Sequence, residues 1–129
     1  MLRYTSFLMQ GLRIGPPKQP EASQPIVTLL HRGDTRQILN EADLLAQLRS
    51  DFPSALFESH SMGELSLQRQ VETIRSSAVM LGMHGAGLAN AIFLRPGAAL
   101  FELFPFGVRR PIYEFIVSRL MSVPPRSLP

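Results

Sequence analysis

AVMLGMHGAGLANAIFLRPGAALFELFP, residues 78–105, is the stretch whose reading decides the fold. An apolar run from Ala78 to Met83 stops at His84, and Gly85 and Gly87 bracket a sharp turn. A helix-compatible stretch follows from Leu88 to Leu94, then a Pro96-Gly97 turn and a second apolar run from Ala98 to Phe104. The pattern predicts strand, glycine turn, helix, strand.

Glycine at such a turn allows positive φ or a close approach of backbone to a ligand. A helix beginning just after it aims unpaired N–H groups and partial positive charge at the same point, which suits an anion. His84, Gly85, Ala86 and Gly87 are therefore candidates for phosphate contact. Short glycine turns between a strand and a helix are common, so this stretch alone does not identify a ligand.

Outward from it, the same alternation recurs. Ile26–Leu30 reads as a buried strand, bounded by Pro25 before it and by His31, Arg32 and Gly33 after it. Asn40 stands where a helix cap is expected, with Asp43 placed to favour the helix start, and Leu44, Leu45 and Leu48 give that helix an apolar face ending near Ser50. Ala55–Phe57 reads as a short second strand. Ser61 or Ser66 is the expected cap of a helix in which Leu67, Val71 and Ile74 are apolar, while Arg69, Glu72 and Arg75 face water. A last helix is expected near Ile112 to Leu120. The order β-α-β-α-β-α-β-α predicts an α/β fold, a parallel sheet with helices on both faces. Residues 1–24 read as an N-terminal arm and linker, 25–122 as the domain and 123–129 as a proline-rich tail.

In open sheets of this class ligands lie beyond the carboxyl ends of the strands. That rule singles out His31 to Arg36, His84 to Gly87, and Glu102 to Pro105. Arg32 and Arg36 stand near enough to face one anion, and guanidinium–phosphate hydrogen bonds contribute roughly 1.5–3 kcal/mol each. The competing reading is a solvated arginine pair, with Asp34 or Glu41 as optional partners. His84 suits a phosphate, a sugar or a purely structural bond. Glu102, a carboxylate near a strand end, suits either ribose hydroxyls or a salt bridge.

Composition narrows the classes. The 129 residues fit one domain, with 45% hydrophobic and 18% charged residues. No window approaches the roughly 18 apolar residues of a membrane span. Net charge is +3, and twelve of the thirteen basic residues are arginine, whose planar fork matches phosphate or carboxylate. These arginines are scattered, without a basic run or interleaved aromatics, which argues against nucleic acid. The chain contains no cysteine, so disulfides, thiolate zinc sites and a cysteine nucleophile are excluded. His31, His60 and His84 show no metal-ligand spacing. HGAG is similar to an esterase oxyanion turn, but the chain has no G-x-S-x-G elbow to supply a nucleophile.

HGAGLANAIFLRPGAALFELFP, His84 to Pro105, closely resembles the signature of the family 61 glycosyltransferases, and HRGDTRQILNE, His31 to Glu41, is similar to that family's arginine-bearing block. The resemblance covers roughly residues 25–117, with the two blocks in the family's order. It implies a Rossmann-like domain corresponding to the C-terminal, donor-binding half of a GT-B glycosyltransferase, inverting and metal-independent, needing no cofactor. The implied partners are a nucleotide-sugar donor and a glycoprotein or glycan acceptor. UDP-N-acetylglucosamine is the donor suggested by the family members most alike, a pentose donor being the other choice. By this resemblance Arg32 and Arg36 would hold the diphosphate, His84 to Gly87 would meet phosphate and sugar, and Glu102 would meet ribose. No catalytic base is assigned, and His84 is a weak candidate. Family members are several times longer and carry an N-terminal anchor or signal, which implies the lumen of the endoplasmic reticulum or Golgi. An alternative reading is a non-catalytic nucleotide-binding or interaction module left by truncation, with the isolated chain inactive.

Overall fold

The structure, a computed structural model, describes residues 10–13, 24–108 and 113. Four strands, β1 Ile26–Leu30, β2 Leu56–His60, β3 Val79–Met83 and β4 Ala99–Leu103, form one parallel sheet in the order β2-β1-β3-β4. Helix α1, Glu41–Asp51, joins β1 to β2, and α2, Leu67–Ser76, leads into β3. A 3-10 segment, Ala86–Phe93, joins β3 to β4, and a shorter 3-10 turn spans Met62–Glu64. This is a Rossmann-like α/β arrangement. The chain runs from β1 outward to β2, then returns past β1 to β3, so connections leave β1 and β3 in opposite directions. The crevice at their carboxyl ends is the switch point at which such sheets bind ligands.

Side chains alternate across the sheet. Leu30, Gly82 and Glu102 occupy one row, since Leu30 pairs with Gly82 and Gly82 with Glu102. On this face Leu30 and Met80 join a buried cluster with Val71 and Ile74 of α2 and Leu88, Ala91 and Phe93 of the 3-10 segment. Leu12 and Tyr113 pack against that cluster. Leu29, fully buried, points to the other face, where α1 lies near β2 and buries its own Leu45. Farther across that second face cover thins, and Phe101 of β4 is 59% exposed.

The core also holds a satisfied polar pair. Ser77 Oγ donates to Thr73 O at 2.8 Å, which commits its proton, so Thr28 Oγ1 is the donor in the 2.6 Å contact with Ser77 Oγ. Both side chains are fully buried, and the bond fastens the end of α2 to the middle of β1.

Several local expectations change. The second strand runs to His60, beyond the expected Phe57, because its polar residues Glu58, Ser59 and His60 lie on an edge strand that hydropathy underestimates. Asn40 stands at the α1 cap position, but its side chain makes no capping bond; Glu41 and Asp43 supply favourable charge in the first turn. Ser66, rather than Ser61, caps α2 by accepting from Arg69 N at 3.3 Å. Leu67 is exposed. Arg75 is partly buried, with Nε enclosed and unpartnered among the described residues, and burial pushes its guanidinium below the ordinary arginine range.

The segment after the glycine turn runs from Ala86 to Phe93 as 3-10 rather than from Leu88 to Leu94 as α-helix. The last expected helix, linker and tail, and most of the N-terminal arm, fall outside the described residues.

Candidate functional site

Chain direction delivers three loops to one edge: the segment after β1, the turn after β2 and the glycine turn after β3. The β1 segment is stapled into a compact loop. Asp34 Oδ1 accepts from Thr35 N at 2.8 Å, Arg32 Nη2 donates to Thr35 Oγ1 at 3.2 Å, and Gln37 Nε2 donates to Gly33 O. Arg36 sits at φ 52°, the left-handed region that a non-glycine residue occupies at a cost of about 1 kcal/mol. That bend carries its guanidinium back over the sheet edge, where Nη1 donates to His84 O at 2.9 Å.

Both arginines converge on Gly85. A Cβ built on Gly85 would stand 3.6 Å from Arg36 Nη1 and would collide with Arg32 Nη1. Gly85 itself is extended, at φ 164° and ψ 174°, so space rather than backbone conformation demands glycine here. Gly87 has only an ordinary contact to offer, 3.6 Å from Leu30 Cδ1. Ala86 is exposed and opens the 3-10 segment.

Neither Asp34 nor Glu41 pairs with the arginines. Asp34 is occupied with Thr35 N, while Glu41 accepts from Ser59 Oγ at 2.8 Å and meets His31 Nδ1 at 2.9 Å. Among the described residues neither Arg32 nor Arg36 forms an ion pair. Two guanidinium groups meeting without a carboxylate leave positive charge that a multivalent anion can neutralise.

His84 and Glu102 form a second unit. Their strands are hydrogen-bonded neighbours, and His84 N donates to Leu103 O at 2.7 Å, which extends the β3–β4 ladder. His84 Nδ1 lies 2.5 Å from Glu102 Oε1, with side-chain exposures of 10% and 9%. Phe104 stacks on the imidazole at 5.5 Å, and Tyr113 meets it edge-on at 5.6 Å. Glu102 therefore faces His84 and is shielded from solvent, whereas the sequence pattern left it free for either a ribose or a salt bridge. The ring's Nε2 has no hydrogen-bond partner among the described residues.

Beside the arginines a cavity of about 430 Å³ opens between the Arg32–Asp34 segment and the Ser61–Glu64 turn. Arg32 belongs to its wall as well as to the convergence point, Gly87 lines the same wall, and Leu30, Met62 and Met83 supply apolar surface. Sequence reasoning missed the Ser61–Glu64 wall. Its signal was position at the carboxyl end of a strand, hidden because β2 was read three residues too short. Phe104 was likewise seen only as the end of an apolar run, and Tyr113 only as part of the expected last helix. Among the described residues no group of three His, Asp or Glu side chains is arranged to hold a metal ion.

Known proteins align with this arrangement. The chain is 37% identical over 106 residues to a protein O-linked-mannose β-1,4-N-acetylglucosaminyltransferase 2 from Danio rerio, an alignment covering 82% of the chain and 18% of that relative. The same enzyme from Tetraodon nigroviridis is 34% identical over 105 residues, covering 81% and 18%. An EGF domain-specific O-linked N-acetylglucosamine transferase from Drosophila melanogaster is 35% identical over 101 residues, covering 78% and 19%. The chain thus spans under a fifth of the length of these relatives. The family profile described as Glycosyltransferase 61 matches residues 3–101, a span that contains both arginines, the glycine turn and nearly all of the sheet. The chain belongs to the glycosyltransferase 61 family.

Proposed function

We propose that residues 24–108 bind the diphosphate of a nucleotide-sugar donor for glycosyl transfer. The observation that carries this reading is the convergence of Arg32 and Arg36, without a carboxylate partner, on Gly85 at the β1/β3 switch point. Arg32, Arg36 and the turn from His84 through Ala86 to Gly87 cradle the diphosphate. Glu102 acts through His84, fixing its ring so that Nε2 is the atom available to the donor. UDP-N-acetylglucosamine is the proposed donor, supported by the names of the similar enzymes.

The reaction is a single displacement with inversion. An acceptor hydroxyl oxygen attacks the anomeric carbon, the bond from that carbon to the diphosphate oxygen breaks, and the hydroxyl proton passes to a base. Charge building on the departing diphosphate is taken up by the two guanidiniums, with no metal or cofactor required. No base is assigned; His84 is the candidate of suitable chemistry. A protein-linked acceptor and a lumenal site in the endoplasmic reticulum or Golgi complete the reading.

A second reading, nucleotide binding without transfer, is favoured by the lack of an assigned base among the described residues. Incubation with UDP-N-acetylglucosamine and either an O-mannosylated peptide or an EGF domain separates the two. UDP binding with transfer supports the enzyme; binding without transfer supports the module; absence of UDP binding in a folded sample refutes both.

Gly85→Ala tests the cradle locally. The added methyl displaces the Arg32 guanidinium, and UDP affinity measured by calorimetry falls about tenfold, the scale of one charged hydrogen bond. The extended backbone of Gly85 accepts alanine, so the ligand-free melting temperature changes little. Unchanged affinity means that Arg32 does not engage the ligand from this position.

A further inference from the structure

We infer that the Ser61–Glu64 turn is the nucleoside wall of the site and that Glu64 recognises the ribose. The inference rests on the donor-site reading above and goes beyond it by giving the cavity beside the diphosphate cradle a defined occupant.

Continuity is the first argument. Arg32 lies both at the point where the guanidiniums converge on Gly85 and in the wall of the cavity of about 430 Å³. A diphosphate bound at that point therefore has one substituent leading directly into the cavity. The volume falls in the range of small-molecule sites, which run from about 300 to 1,000 Å³.

Chemistry is the second. Leu30, Met62 and Met83 offer apolar surface to a flat heterocycle, while Ser61 and Glu64 offer a hydroxyl and a carboxylate. A ribose presents neighbouring hydroxyl donors, and an ionised carboxylate is an acceptor-only group matched to them. The Glu64 carboxylate has no protein partner among the described residues. The other acids near this edge are committed: Glu102 to His84, Glu41 to His31 and Ser59, and one Asp34 oxygen to Thr35 N. Asp34 lines the opposite wall with one oxygen uncommitted, whereas Glu64 offers both carboxylate oxygens to a neighbouring pair of hydroxyls.

The turn is also built to hold this position. Glu64 N donates to Ser61 O at 3.1 Å and Leu65 N to Met62 O at 3.1 Å, while Met62 is buried in the core cluster and anchors the wall. A Cβ built on Gly63 meets nothing within 4 Å, so a larger side chain there enters open space without disturbing the fold.

Calorimetric titration of the full chain with UDP, inorganic pyrophosphate and 2′,3′-dideoxyuridine 5′-diphosphate tests this. Wild type binds UDP at least about tenfold more tightly than pyrophosphate or the dideoxy compound. Glu64→Gln removes about tenfold from UDP affinity, leaves pyrophosphate unchanged and abolishes the preference for UDP over its dideoxy analogue. Gly63→Leu, which keeps Glu64, likewise weakens UDP and spares pyrophosphate. If Glu64→Gln leaves UDP affinity intact, or lowers UDP and pyrophosphate equally, the inference is overturned. Should wild type bind pyrophosphate with UDP no tighter, the nucleoside wall fails while the diphosphate cradle stands. Binding of neither ligand removes both.

Discussion

Replacing Arg36 by alanine removes most of the thermal stabilisation that UDP gives the wild-type chain. At a UDP concentration 100 times its dissociation constant, binding stabilises the folded state by about 2.7 kcal/mol. In a domain of this size that is a rise of roughly 10–20 °C in melting temperature. Arg36 carries two contributions to the site, a guanidinium beside Gly85 and a hydrogen bond to His84 O. Losing both weakens binding about a hundredfold, the upper end for a charged hydrogen bond. At the same UDP concentration the stabilisation then drops to about 0.4 kcal/mol, or about 2–3 °C. Arg36→Gly is the control for folding, because glycine suits φ 52° and relieves the left-handed strain. Its ligand-free melting temperature holds, yet the response to UDP is lost. A full UDP response in both variants would falsify the placement of Arg36 in the cradle.

Glu102→Ala is the substitution with the largest effect on stability. It strips His84 Nδ1 of its partner inside a pocket where both side chains are about nine-tenths buried. Breaking a buried, hydrogen-bonded pair by removing one member costs about 3–5 kcal/mol. The expected fall in melting temperature exceeds about 12 °C. His84→Ala/Glu102→Ala separates pairing from simple packing: with the partner gone as well, the second truncation costs much less than it does alone. Chemical denaturation of the wild type, both single variants and the double variant measures this coupling. Additive losses would show that the two side chains contribute independently and that the short contact is not a stabilising bond.

How far the sequence carried the fold is visible element by element. Ile26–Leu30 and Val79–Met83 were legible because central strands of a parallel sheet are long apolar runs. Leu56–His60 was legible only in its apolar first half, since an edge strand tolerates Glu58, Ser59 and His60. That shortfall concealed the Ser61–Glu64 wall, which otherwise obeys the strand-end rule that exposed Arg32 and His84. The 3-10 character of Ala86–Phe93 was hidden because an apolar stretch after a glycine turn marks a helical segment without fixing its pitch.

At the site, residue types pointed to an anion but not to their mutual arrangement. Gly85 was expected to be glycine for positive φ or for close approach to a ligand; its φ is extended, and the space a side chain would fill is taken by Arg32. Arg36 gave no sign of its left-handed bend, which depends on the Asp34 and Thr35 staple in the preceding residues. Nor could spacing reveal that Glu102 closes on His84, because that contact is made by the register of β3 against β4.

The most direct test of the diphosphate cradle is amide mapping of the isotopically labelled chain during titration with UDP. The account predicts saturable shifts concentrated at Arg32 to Arg36 and His84 to Leu88, extending to Ser61–Glu64 with UDP but not with pyrophosphate. Shifts confined to other surfaces, or none at millimolar UDP in a well-dispersed spectrum, contradict it.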